Sequence, residues 1–272
     1  MSRQNWSDDK ILNRLINNKT GSTYWENISV LRGRPSKELF TKCVKLIKSP
    51  NPNKKCIGID ILAQMGLPPR PFLKQTLELY FNLLKQEENA NVIMSILYSI
   101  GHNNENLTKS QIEILCSFAN TDDKKIKEGL ISSLLGIEEP IAIQTLIKFS
   151  KDRLSNLRNW ATFGIGSQIE KDCPDIRKAL WDRINDKHQE TKLEAILGLA
   201  KRNDDAIINI IKKELLEGEY GILLFEAILE TKHKDFLVLL ENNLKVGKEN
   251  EINQLWLDDL EKCITELNQI VL

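Results

Sequence analysis

Along most of the chain, apolar residues recur every three or four positions, in blocks of about a dozen separated by turns rich in Pro, Asn or Asp. That spacing puts the apolar side chains on one face of an α-helix. The first block carries Ile11, Leu12, Leu15 and Ile16 behind Ser7, whose hydroxyl suits an N-cap, and Gly21 is expected to end it. A second short helix is expected from Ser22 to Leu31, broken by Gly33-Arg34-Pro35. From there the blocks come in pairs, a first helix and a second helix joined by a short turn.

The second helices align on their last small residue: Lys54–Gly66, Ala90–Gly101, Asp123–Gly136, Ser155–Gly166, Gln189–Ala200 and Glu219–Lys232. Five positions before the end, every one of them is apolar: Ile61, Ile96, Ile131, Ala161, Ala195 and Ala227. With the positions four residues later, Met65, Ile100, Leu135, Ile165 and Leu199, where Thr231 is the one lapse, these side chains share one helix face and form the expected seam between helices. The first helices carry matching stripes, among them Phe40/Val44/Ile47, Leu73/Leu77/Tyr80/Leu84, Ile143/Leu146/Ile147 and Ile207/Ile210/Ile211. A final helix is expected over about 249–271, carrying Ile252, Leu255, Trp256, Leu260, Ile264 and Leu267 together with several carboxylates. A polar-faced end unit shields the last apolar face of a stack.

The chain repeats itself most plainly between positions 152 and 201. Asp152, Arg158, Ala161 and Gly164 recur 34 residues later as Asp186, Lys192, Ala195 and Gly198. Self-similarity at such a period marks a repeat array. Trp160-x-x-Phe163-Gly164 superficially suits the start of a tetratricopeptide repeat, but the expected Tyr falls on Ser167 and the motif occurs once; the ankyrin T-P-L-H signature is absent. The patterns D-x5-R-x2-A-T-F-G-I-G at Asp152–Gly166 and D-x5-K-x2-A-I-L-G-L-A at Asp186–Ala200 resemble HEAT repeats, in particular the short variety shared with phycobilisome-lyase-like proteins. The resemblance implies an all-α fold, a right-handed α-α superhelix of about 15–16 helices. It implies one domain: cap helices over 1–35, repeats over 36–246 and a capping helix over 247–272. It also implies that Arg158 and Lys192 reach turn carboxylates of their own or the next repeat, and that second helices line a concave, partner-binding side.

Composition narrows the function. Lys plus Arg and Asp plus Glu both number 38, so the net charge is zero and no bulk field favours nucleic acid or an anionic membrane. The five cysteines are scattered, none in a C-x-x-C pair, and suit reduced thiols in a cytoplasmic protein. No run of about 18 apolar residues occurs. A soluble monomer without membrane attachment is expected.

No catalytic motif emerges. His102, His188 and His233 are isolated, followed by Asn103, Gln189 and Lys234, so the His-Glu pairs that a di-iron hydroxylase of HEAT-like build needs are absent. There is no phosphate-binding loop or nucleophile elbow, and Gly164-x-Gly166 is expected to pack and cap a helix end. No cofactor and no metal are expected. The row six before each second-helix end should face the partner side: Asp60, Ser95, Leu130, Trp160, Glu194 and Glu226. The row two before the end, Gln64, Ser99, Leu134, Gly164, Gly198 and Glu230, should accompany it. Asp60, Arg158, Asn159, Trp160, Glu194, Glu226 and Glu230 are therefore the candidate partner-binding residues. Trp and Arg dominate interface anchors, and carboxylates beside an indole suit a basic protein or peptide. The expected function is a non-enzymatic scaffold. Two alternatives remain: an alkylpurine DNA glycosylase of HEAT-like build, with Trp160 and Asp152 or Asp186 in active roles, and a lyase-type chaperone. An acidic row opposes the first of these, because duplex binding leans on Lys and Arg.

Overall fold

In the computed structural model, residues 2–18 and 20–271 are described, with the side chain of Val271 left out. The described residues form sixteen α-helices and no strand. The helices divide between two compact units, Met1–Ile141 and Ala142–Leu272.

Unit 1 contains α1 (Asp8–Ile16), α2 (Gly21–Arg32), α3 (Lys37–Ile47), α4 (Pro52–Gln64), α5 (Leu73–Leu84), α6 (Ala90–Gly101), α7 (Lys109–Cys116) and α8 (Lys124–Leu134). All of them except α2 and α5 start behind a side chain that accepts otherwise orphaned backbone N–H groups. Ser7 accepts from Lys10, Ser36 from Leu39, Asn51 from Lys54, and Thr108 forms a reciprocal capping box with Gln111. The second helices α4, α6 and α8 pack side by side in chain order, with α2 on the free flank of α4. Ile61, Ile96 and Ile131 lie at most 1% exposed between them and the first helices, as the seam pattern predicts.

Unit 2 contains α9 (Pro140–Phe149, whose first turn crosses the unit boundary), α10 (Ser155–Phe163), α11 (Pro174–Trp181), α12 (Gln189–Lys201), α13 (Ile207–Glu217), α14 (Ile222–Thr231), α15 (Phe236–Glu249) and α16 (Gln254–Val271). Here α10, α12, α14 and α16 are the inner neighbours. Ala161, Ala195 and Ala227 are fully buried, and their small size lets the helices approach. The approach is closest where Gly198 meets Gly166: a Cβ on Gly198 would stand 2.6 Å from the Gly166 Cα. The chain is all-α, built of stacked helix pairs as in an α-α superhelical solenoid.

Several local expectations are corrected. Gly21 opens α2; α1 has already ended at Asn17, whose N–H returns to Asn13 O. On α3 the buried face is Leu39, Cys43 and Ile47, while Phe40 sits at the edge and stacks on Phe72 with ring centroids 4.9 Å apart. At the C-terminal end, α16 buries Leu257, Leu260, Cys263 and Leu267, whereas Ile252 and Leu255 are exposed. The break between α15 and α16 at residues 250–253 rotates the face, because Gly247, Ile252 and Trp256 close around that turn.

One departure from regularity shapes the site. After Phe163, α10 continues as a π-helical turn over Gly164–Gln168. The widened turn leaves carbonyls that an α-helix would use, and buried Arg202 collects them. Its guanidinium donates to the oxygens of Ile165 (2.9 Å), Gly166 (3.0 Å), Gly198 (2.8 Å), Ile169 (2.7 Å) and Lys171 (3.1 Å). Asn103 holds the same place in unit 1, two residues after its second-helix end, and donates to Ala63 O (3.1 Å) and Ser99 O (2.9 Å).

Candidate functional site

The inner face of unit 2 carries one large exposed aromatic. Trp160 is 54% exposed, and its ring meets Phe163 edge to face at 5.6 Å. Trp160, Phe163 and Ser167 follow at i, i+3 and i+7 along α10 and its π-turn. Ser167 donates to Glu194 Oε2 at 2.9 Å, which joins the π-turn to α12. At the other end, Asn159 donates to Glu190 (3.1 Å) and accepts from the Thr191 hydroxyl (3.3 Å).

Glu194 differs from its expected role as a solvated groove residue. It is only 8% exposed, because α12 lies between α10 and α14, and residues 193–200 are buried without a break. Burial pushes its carboxyl above the ordinary glutamate value; the Ser167 hydrogen bond opposes this, and the nearby Glu226 charge adds to it. Lys201 offsets a part but forms no ion pair with it, and among the described residues no Lys or Arg does. Glu226 and Glu230 are exposed one turn apart on α14, in line with exposed Ile222.

Arg158 is turned elsewhere. Its guanidinium grips Asp186 (Nε–Oδ2 2.6 Å, Nη2–Oδ1 2.7 Å) and donates to the Asp152 carbonyl at 2.9 Å. Arg183 and the His188 N–H also reach Asp186. The expected ladder between repeats is therefore present at Arg158. It stops at Lys192, which pairs with Glu214 at 2.6 Å, since position 220 of the next turn is Tyr.

Asp60 lies in unit 1. It is partly buried on α4, accepting from the Tyr24 hydroxyl on α2 (2.6 Å) and the Ser95 hydroxyl on α6 (2.7 Å). Burial raises its pKa despite both hydrogen bonds. The row two before the second-helix ends does not face a partner: Ser99, Leu134, Gly164 and Gly198 are buried, and within the row only Glu230 is exposed. At Gly198 the backbone of the π-turn comes too near to leave room for solvent. Ser167, Phe163 and Glu190 were not among the candidate partner-binding residues; their spacing from Trp160 and Thr191 was the available signal.

No protein-family model matches the chain. Protein YibA of Escherichia coli K12 is 25% identical over 264 residues, covering 94% of this chain and 91% of that protein, and the YibA of Escherichia coli O157:H7 matches equally. The X-ray structure of Escherichia coli YibA superposes with a TM-score of 0.73 at 21% identity, over 98% of this chain and 94% of that one. The likeness shows the helical-repeat fold along nearly the whole chain.

Chemically, α10 offers an indole for a cation to rest on, Ser167 ties that helix to the buried Glu194 carboxylate on α12, and two exposed carboxylates stand on α14. Among the described residues, no group of three His, Cys, Asp or Glu side chains is placed to hold a metal. No helix among them is long and apolar enough to cross a membrane.

Proposed function

We propose that this protein is a HEAT-repeat scaffold of the cytoplasm, acting as a monomer, that binds a basic segment of a protein partner on the second-helix face of unit 2. The observation that carries the reading is Glu194: a buried carboxylate without a cationic partner, one hydrogen bond from the helix that exposes Trp160. A buried charge is costly unless it is paired. A Lys or Arg side chain laid across Trp160 would meet the ring, with the Glu194 charge on the neighbouring helix drawing it in, and cation–π contact adds roughly 0.5–2 kcal/mol. Glu226 and Glu230 extend the negative field and would hasten encounter with a basic chain. The paired Asp152–Gly166 and Asp186–Ala200 motifs, with Arg158 bonded to Asp186 of the next repeat, support the HEAT reading.

Anisotropy titrations with labelled octalysine and octaglutamate test the reading, beside a gel shift with duplex DNA. Octalysine should bind, and Trp160→Ala and Glu194→Gln should each weaken it by about tenfold, the loss of one well-placed contact. Binding indifferent to both substitutions sinks the reading. Tight DNA binding that falls steeply with salt would favour a glycosylase-like protein instead.

A further inference from the structure

The Trp–carboxylate row of unit 2 has a counterpart in unit 1. Extending the repeat frame one period towards the N-terminus puts Trp25 where Trp160 stands and Asp60 where Glu194 stands; the two pairs are separated by 35 and 34 residues. The equivalence is physical as well as numerical. Trp25 is 52% exposed, and its ring meets Tyr24 edge to face at 5.2 Å. The Tyr24 hydroxyl then donates to Asp60, so one side chain links the exposed indole to the sheltered carboxylate; in unit 2, Phe163 meets the indole and Ser167 donates to the carboxylate.

The competing explanation is a structural tie, since Asp60 joins α2, α4 and α6 through two hydroxyls. An asparagine would serve that tie as well. Its Oδ1 would accept from Tyr24 and its Nδ2 would donate to Ser95, with no charge to desolvate. The carboxylate adds a cost that no cation within the chain returns, because none of the described Lys or Arg residues pairs with Asp60. Cations do seat on an indole elsewhere in this unit: Lys10 Nζ lies 4.4 Å and the Arg14 guanidinium carbon 5.6 Å from the Trp6 ring centre.

We propose that unit 1 carries a second cation-binding site, formed by Trp25, Tyr24 and Asp60, which takes a Lys or Arg side chain of a basic protein segment. The choice of a basic partner rests on the reading of Trp160 and Glu194. The site is self-contained within unit 1 and adds a second point of recognition.

The test is 19F NMR of the full chain labelled with 5-fluorotryptophan, with the Trp25 and Trp160 resonances assigned from Trp25→Phe and Trp160→Phe. Octalysine and octaglutamate are titrated at matched ionic strength. Both resonances should shift with octalysine and neither with octaglutamate. Asp60→Asn should weaken the Trp25 response by about tenfold, the loss of one charge-assisted contact, and leave the Trp160 response unchanged. Should Asp60→Asn fail to fold, Trp25→Leu, at an exposed ring, should lower the affinity for labelled octalysine severalfold. A still Trp25 resonance with a moving Trp160, a Trp25 response to octaglutamate, or indifference to Asp60→Asn overturns the second site and leaves the reading of Trp160 standing. A moving Trp25 with a still Trp160 overturns that reading and leaves the unit 1 site. Silence at both overturns both.

Discussion

Arg158 and Asp186 join one repeat of unit 2 to the next through two parallel charge-assisted hydrogen bonds of 2.6 and 2.7 Å. Burial alone would raise Asp186, but the hydrogen bonds from Arg158 and the His188 N–H, with the charges of Arg158 and Arg183, hold it below the usual aspartate value. Arg158→Ala removes two of the four hydrogen bonds to this buried carboxylate and should destabilise the protein by about 2–4 kcal/mol at neutral pH. A carboxyl with a depressed folded pKa contributes stability above its unfolded value, near 4, and loses it as the pH falls through the folded value. The deficit of Arg158→Ala should therefore shrink in acid. Urea unfolding of both proteins across that range checks it.

Glu194 should show the opposite sign. Its folded pKa is raised, so its favourable contribution is complete below the unfolded value and is lost as the pH rises through the folded one. Glu194→Gln should thus raise the urea midpoint at neutral pH, and the gain should vanish below about pH 4. The same substitution is expected to weaken octalysine binding, a trade of function for stability common at binding sites. A neutral-pH midpoint equal to wild type would show that Glu194 is satisfied without a partner.

Arg202 makes a separable prediction. Arg202→Met keeps much of the side chain's bulk but leaves the carbonyls of the π-turn without donors, which should destabilise by roughly 3–5 kcal/mol. Amide exchange should accelerate first in 164–171, and Ser167 should lose its hold on Glu194. Uniform acceleration across unit 2 would mean that the turn is not a distinct element.

Gly198→Ala tests the close approach of α10 and α12. The new methyl would meet the Gly166 Cα at 2.6 Å and the Leu180 methyls at 3.0 and 3.1 Å, with backbone on one side that cannot swing away. A loss of about 1–3 kcal/mol is expected. Gly21→Ala, in open space at the start of α2, should be neutral or slightly stabilising by comparison. Thermal melts of the two variants decide it.

Much of the architecture was legible in the chain itself. A period of 30–35 residues, an N-cap side chain at Ser7, and one apolar position five before each second-helix end are local signals. A helix needs only its own residues to declare its face, so Ile61, Ile96, Ala161 and Ala195 were placed correctly. The Arg158–Asp186 bond was legible too, as one of two partners that the repeat pattern allowed.

What the tertiary structure alone decided is which polar positions reach solvent. Trp160, Glu194 and Glu226 share one repeat position, yet Glu194 is buried and the other two are exposed. The difference comes from Gly166 and Gly198, which let α10 and α12 close to backbone contact, and from Arg202, which holds the π-turn that delivers Ser167 to Glu194. Periodicity assigns a side chain to a face of its helix. How deeply that face sinks depends on how near the neighbouring helices come, and that is set by residues up to 37 positions away.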